Sequence, residues 1–170
     1  MTARNVASAL ATLAAVGALF PPATAEASTP RAVLGAGTVT IDDSNPYMSG
    51  HTFRFTIAAV SQRNGFTLGA MRVVHREPKS PHYSDIRLRV DCLRVHGRTA
   101  VLSAETVSET TENGPVYDHI GFRVPVKITD RGASDQLVFG HGPPAPADCS
   151  RDLFPDDVSM MPVRGDFRVR

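Results

Sequence analysis

The chain has 170 residues, with 18 basic and 17 acidic side chains and a formal net charge of +1. A chain this balanced offers no electrostatic reason to bind DNA, RNA or an anionic membrane. Its length suits one domain with one hydrophobic core.

The first element is a leader. Arg4 supplies a positive start, Val6 to Phe20 is an apolar Ala/Leu-rich run, and Pro21 and Pro22 break it. Two overlapping A-x-A frames follow, ending at Ala25 and Ala27, which is the layout of a secretory signal peptide over residues 1–27. The apolar run is short for a transmembrane anchor, and no second one follows. The expectation is a secreted chain, extracellular or in the cell envelope. Residues 28–36 read as a flexible lead-in, and residues 37–170 as a single β domain.

Past the lead-in, apolar residues alternate with period 2. Val39 and Ile41 open the pattern. Phe53, Phe55, Ile57 and Ala59 share one face opposite Arg54 and Thr56. Phe66, Leu68 and Ala70 follow, then Ile86, Leu88, Val90 and Cys92. Ala100, Leu102 and Ala104 come next. The longest row runs Val116, Asp118, Ile120, Phe122, Val124, Val126 and Ile128, and Leu137 and Phe139 close the series. No window holds a helical stripe over three turns. The fold class predicted is all-β, an antiparallel barrel or closed sandwich of about 7–9 strands. Turn residues punctuate the rows at Asn45-Pro46, Ser49-Gly50, Arg63-Asn64-Gly65, Asn113-Gly114-Pro115 and Arg131-Gly132. A three-residue loop at His96-Gly97-Arg98 would pair Cys92 with Leu102 and Val90 with Ala104 inside, and Arg89 with Glu105 outside. Pro125 marks a sheet edge or a bulge. Residues 143–150 form a Pro-rich connection. Gly165 to Arg170 read as a short terminal strand, and pairing it with the Val39 strand would close a barrel.

Cys92 and Cys149 are the only cysteines, and an even count in an exported chain reads first as a disulfide. Charge is uneven. Residues 51–98 carry nine basic side chains against Glu77, Asp85 and Asp91, and residues 99–170 carry seven against eleven acidic ones. Basic and acidic strands lying side by side explain this most simply, and a basic face for an anionic ligand is the sharper alternative.

The stretch Val90-Asp91-Cys92-Leu93-Arg94-Val95-His96-Gly97-Arg98-Thr99-Ala100-Val101-Leu102 resembles a hairpin signature, V-x-C-L-x-V-x-G-x-x-A-x-L, of small exported all-β proteins of actinobacteria. The segment from Phe122 through Asp130, Gly132 and Asp135 is similar to their strand ending in D-x-G-x-x-D. The Arg-rich usage, 16 of the 18 basic residues, hints at the same GC-rich source. The resemblance implies a Cys92–Cys149 pairing, and it implies no activity and no catalytic residues.

Chemistry-bearing motifs are sparse. The six histidines are scattered, without H-x-x-x-H or H-E-x-x-H spacing. His75 and Glu77 share a strand-end face and, with a ligand from another strand, could hold a metal. Asp130 and Asp135 are weak calcium candidates, although turn capping by Asp explains them and the pairs Asp42-Asp43 and Asp156-Asp157 more simply. There is no G-x-S-x-G elbow, and His82-Tyr83-Ser84-Asp85 supplies triad residue types only as neighbours on one loop. Arg164-Gly165-Asp166 spells an adhesion tripeptide but opens the terminal strand. No cofactor is expected. The leading expectation is an exported, non-catalytic binding or structural domain. One alternative is a barrel carrying a small apolar ligand among Phe53, Phe55, Phe66, Leu68, Phe122 and Phe139. The other is a secreted hydrolase, which clustering of His75, Glu77 and another acid would favour. A small apolar ligand or an extracellular macromolecule is therefore the partner expected.

Overall fold

Phe53, Phe55 and Ile57 on one parity, with Arg54 and Thr56 on the other, give β2 (Thr52–Ser61) one face for a core and one for water. The same logic builds β1 (Arg31–Thr40), β3 (Thr67–Arg76), β4 (Tyr83–His96), β5 (Thr99–Glu112), β6 (Arg123–Thr129), β7 (Gln136–Phe139), β8 (Met161–Pro162) and β9 (Arg164–Val169). The computed structural model describes residues 30–62, 65–114, 119–140, 149, 153–154 and 159–170, and among these there is no helix. The leader with Ala25 and Ala27, most of 143–150, and Asp156-Asp157 lie outside the described residues.

All nine strands form one antiparallel sheet in the order β8-β7-β6-β5-β4-β3-β2-β1-β9. Only Val163 separates β8 from β9. One continuous stretch thus pairs with β7 at its start and with β1 afterwards, curling the sheet into a nearly closed barrel. The terminal strand does pair with the Val39 strand, as the barrel alternative requires.

Two features hold this seam. Asp135 is fully buried, and its Oδ1 accepts the Arg131 N–H at 2.8 Å while Oδ2 accepts the Phe167 N–H at 2.6 Å. Asp130 accepts N–H groups from Gly132 and Val169 and pairs with Arg98 at 2.5 Å. The second feature is space. A Cβ on Gly37 would lie 2.2 Å from the Val163 Cγ1 and 3.1 Å from the Phe167 ring, so the glycine lets Val163 and β9 approach β1 closely.

The interior is filled by one cluster that includes Val33, Phe55, Ile57, Met71, Leu88, Leu102, Val126, Ile128, Leu137 and Phe167. Several sequence expectations need correction. The strand β1 starts at Arg31, so most of the expected 28–36 lead-in is strand. In β3 the inner row is Met71 and Val73, while Phe66 and Leu68 are exposed at 54% and 56%. Arg72 and Arg76 share parity with Leu68, and two arginines turn that face outward. The long row from Val116 stops at a turn, where the Phe122 N–H donates to the His119 carbonyl and Gly121 takes φ of 83°. Among the described residues of that row, Val124, Val126 and Ile128 are inside, and Val116 and Asp118 lie outside the described residues. The Pro125 carbonyl accepts from Gly140 just beyond β7, so the missing N–H falls where that strand has ended.

The β4–β5 hairpin turns on two residues, Gly97 and Arg98, with Gly97 at φ of 56°. Val90 pairs with Ala104 and Arg89 with Glu105 as expected. A bulge between Val90 and Cys92 then shifts the register, so Leu93 rather than Cys92 faces Leu102. Cys92 is thereby displaced from the inner row and bonds Cys149, with the Cα atoms 5.9 Å apart. Val101, Ser103 and Val138 sit on the outer parity and are nonetheless buried. The barrel wall is therefore covered on the disulfide side, and the single solvated face expected for every strand fails there.

Candidate functional site

The two ends of the barrel differ. At one end β4 and β5 are joined by 97–98 alone, and β2–β3 and β6–β7 by connections no longer than 77–82. At the other end lie 41–51, 77–82, and the described residues 113–114 and 119–122, and β7 also ends there at Phe139. Loops that need not be short are where a rigid scaffold places recognition chemistry. Four of the six histidines, His51, His75, His82 and His119, gather at this long-loop end. His96 caps the opposite hairpin, and His141 lies outside the described residues.

Strand parity explains the gathering. His75 follows Met71 and Val73 on the inner row of β3, at the mouth, where its ring stacks on Phe53 with centroids 4.4 Å apart. His51 precedes β2 on the neighbouring strand, and its Nδ1 lies 2.9 Å from the His75 Nε2, so one nitrogen donates and the other accepts. His82 closes the 77–82 loop. Its ring meets that of His75 edge-on at 5.8 Å, and its Nδ1 lies 2.6 Å from Glu77 Oε1. On the facing wall His119 Nδ1 lies 2.8 Å from Glu109 Oε2, and Glu109 is buried. Tyr47, Ile120 and Phe122 border this end and are exposed at 91%, 54% and 40%.

Electrostatics follow from this packing. Burial pushes the His75 pKa down, and the neighbouring His51 and His82 add to that shift. The His82 hydrogen bond holds Glu77 below its usual value. The imidazoles thus pair, His51 with His75, His82 with Glu77, and His119 with Glu109. His82 Nε2 is buried and has no partner among the described residues, and the ring lies so close to Gly114 that a Cβ there would overlap it.

This arrangement brings together what the sequence left apart, and it redirects the expected metal pair. His75 and Glu77 do not converge on one point, since each turns to a different histidine. Among the described residues no group of three His, Cys, Asp or Glu side chains is placed to hold a metal ion. Asp130 and Asp135 use their oxygens on backbone N–H groups at the seam, a structural role in place of the calcium expectation. Among the described residues no serine or cysteine is hydrogen-bonded to the imidazole of His51, His75 or His82. In His82-Tyr83-Ser84-Asp85 the residues diverge, with Asp85 bound to Arg72 and Ser84 facing the core. Arg164-Gly165-Asp166 is strand β9, not a protruding tip. Of the six residues offered as a ligand-lining row, Phe66 and Leu68 point outward and Phe122 is exposed, while Phe53, Phe55 and Phe139 pack on one another.

The charge asymmetry is met in part by pairing across the sheet. Arg89 on β4 and Arg123 on β6 pair with Glu105 on the intervening β5 at 2.9 and 3.5 Å, so neighbouring strands do neutralise each other there, and Arg123 also reaches across β5 to Asp91 at 2.6 Å. A residue of uncompensated arginine remains on the outer face of β2, β3 and β4. Comparison with protein-family models, with curated proteins and with solved structures finds no match for the chain.

Proposed function

We propose that this chain is an exported, non-catalytic binding domain, and that the long-loop end of its barrel is the recognition surface. The observation that carries the reading is the convergence at that end of the histidine partnerships with the exposed Tyr47, Ile120 and Phe122, above an interior already filled by side chains. Exposed aromatic and apolar residues bordered by polar groups on loops are the composition of a binding surface. His82 Nε2, an imidazole nitrogen with no partner among the described residues, is buried against Gly114, and a general base must reach a substrate proton, which supports binding over catalysis. The leader-like residues 1–27 and the Cys92–Cys149 bond support action outside the cytoplasm.

The test is a photo-crosslinking experiment on chain recovered from the host's medium. Its denatured mass should begin at Glu26 or Ser28 and lack two hydrogens. A benzophenone amino acid in place of Tyr47 should give a discrete adduct, and the same group in place of Arg168, on β9, should not. Adducts at both positions alike, adducts at neither, or retention in the cytoplasm with free thiols would overturn the reading.

A further inference from the structure

The outer face of β2, β3 and β4 breaks a rule of strand pairing. Arg72 on β3 lies directly opposite Arg87 on β4. Like charges in that position are about 5 Å apart at Cβ and destabilise the sheet. Arg54 sits on the adjacent strand, in the row that runs through Val74 to Asp85. One carboxylate serves this group. Asp85 takes Arg72 in a two-pronged pair at 2.8 and 2.6 Å, and the charge of Arg87 adds to Arg72 in holding the Asp85 pKa low, so this single carboxylate is shared between the two. Arg76 lies over the Tyr83 ring at 4.9 Å, which fixes the side chain without neutralising it. Among the described residues no carboxylate lies within ion-pair distance of Arg54, Arg76 or Arg87.

The face is also shaped. One depression of about 410 Å³ is lined by Thr38, Thr52, Arg54, Arg72, Arg76 and Tyr83, among others. A second, of about 560 Å³, adjoins it and shares Thr56 and Arg72. Arg87 and Arg89 border the second, whose floor includes Ala58, Gly69 and Ala70. Together they form a track across the strands with guanidinium walls, threonine hydroxyls and a low apolar floor. Guanidinium forks match carboxylate and sulfate oxygens two at a time.

We propose that this track binds an extended anionic polysaccharide. Acidic groups along the chain would sit between Arg54, Arg72, Arg76 and Arg87, relieving the Arg72–Arg87 repulsion. Sugar hydroxyls would meet Thr38, Thr52 and Thr56, and the C–H faces would rest on Ala58, Gly69 and Ala70. A nucleic acid fits less well, because Tyr83, the aromatic ring in the lining, is already covered by Arg76. The track is separate from the long-loop surface, so either proposal can fail alone.

Titration calorimetry on the oxidised chain would use alginate as a polycarboxylate, heparin as a polysulfate, and polyglutamate and single-stranded DNA as other polyanions. Binding of alginate or heparin is expected, and which of the two binds identifies the acidic group. Arg54→Ala and Arg87→Ala should each weaken it by about tenfold or more. Arg31→Ala removes the same charge from an exposed site at the far end of β1 and should change nothing. Arg87→Ala should also melt no lower than wild type, since a like-charge contact is relieved. If it does melt lower, Arg54→Ala decides alone, because that side chain is exposed and unpaired. Failure of both glycans to bind, equal binding of polyglutamate or DNA, or an equal loss in Arg31→Ala would overturn the proposal.

Discussion

Removing the Asp135 carboxylate should open the barrel seam. Phe167 is fully buried, so its N–H has no water to turn to when the 2.6 Å bond to Asp135 is lost. A hydrogen bond to a charged acceptor contributes about 1.5–3 kcal/mol, and leaving its donor buried and unmet lies at the upper end of that cost. Arg131 is exposed, so water replaces its lost acceptor for about 0.5–1 kcal/mol. Asp135→Ala should therefore cost roughly 3–4 kcal/mol, a large share of the total stability of a small domain. Asp135→Asn keeps one oxygen for Phe167 and should cost about half as much. Asp166→Ala is the control. Its carboxylate and Arg168, 3.6 Å apart, are both exposed, and the loss should stay within about 0.5 kcal/mol. The assay is urea unfolding followed by far-UV circular dichroism. With a slope of about 2 kcal/mol/M, Asp135→Ala moves the midpoint down by about 1.5–2 M. Adding millimolar calcium or EDTA should move no midpoint. If Asp135→Ala behaves like Asp166→Ala, the seam assignment is wrong. If calcium raises the wild-type midpoint and Asp135→Asn abolishes the rise, these carboxylates hold a cation instead.

Three further outcomes are expected. The Cys92→Ser/Cys149→Ser double variant opens a loop spanning 57 positions and should lose about 4 kcal/mol in the chain-entropy account, read as a lower urea midpoint that reductant no longer shifts. Gly37→Val places a branched side chain where a Cβ alone already lies 2.2 Å from the Val163 Cγ1 and 3.1 Å from the Phe167 ring; it should cost about 3 kcal/mol, whereas Ala58→Val on the open face should leave the melting temperature nearly unchanged. His75, with its pKa below the ordinary 6.5, binds a proton less readily folded than unfolded, so stability should fall as pH drops through that value and level off below the depressed one. Glu77, Asp85 and Asp130 are held low and protect the fold above their ordinary values, so their contribution disappears in a separate, more acidic window. Melting temperature against pH should show both windows, and His75→Phe should flatten only the upper one.

Much of the architecture was legible because period 2 leaves little freedom where one face is wholly polar. Arg54 and Thr56 opposite Phe53, Phe55 and Ile57 admit one orientation, and the structure adopts it. The β3 strand was harder because its inner row, Thr67, Gly69, Met71, Val73 and His75, is hardly more apolar than its outer one. The parity of Arg72 and Arg76 carried the answer, since two guanidiniums oppose burial more strongly than one leucine favours it. The bulge at Asp91 could not be read, because Val90, Cys92 and Leu93 are apolar on both parities and only the partner strand selects a register. The histidine cluster was illegible for the same reason. Its members lie 24 and 31 positions from His51, at His75 and His82, and only the β2–β3 register and the return of the 77–82 loop unite them. One signal was available. Three histidines sit next to strand starts or ends that alternate in direction, and in a meander every second connection falls at the same end.

The local rules broken in this fold are not randomly placed. The seam obeys them, since Asp130, Asp135, Gly37 and Val163 each satisfy a donor, a close approach or a register. Exceptions include the facing Arg72 and Arg87, the His82 Nε2 with no partner among the described residues, and the exposed Tyr47, Ile120 and Phe122. None of these is required to close a barrel, and a sequence free to change would remove the facing arginines with one acidic substitution at position 87. Leu34, Phe66, Leu68 and Val107 are also exposed and Asp91 Oδ1 and Thr111 Oγ1 are also buried without a partner among the described residues, but the costs that gather in two surface regions point to something other than folding determining the residues there. That separation gives a joint test: charge-reversing Arg87→Glu should raise the melting temperature of the free chain and abolish binding on the arginine track, while leaving crosslinking from position 47 intact. A substitution that stabilised the chain without cost to either surface would show that the arginine pair is merely tolerated.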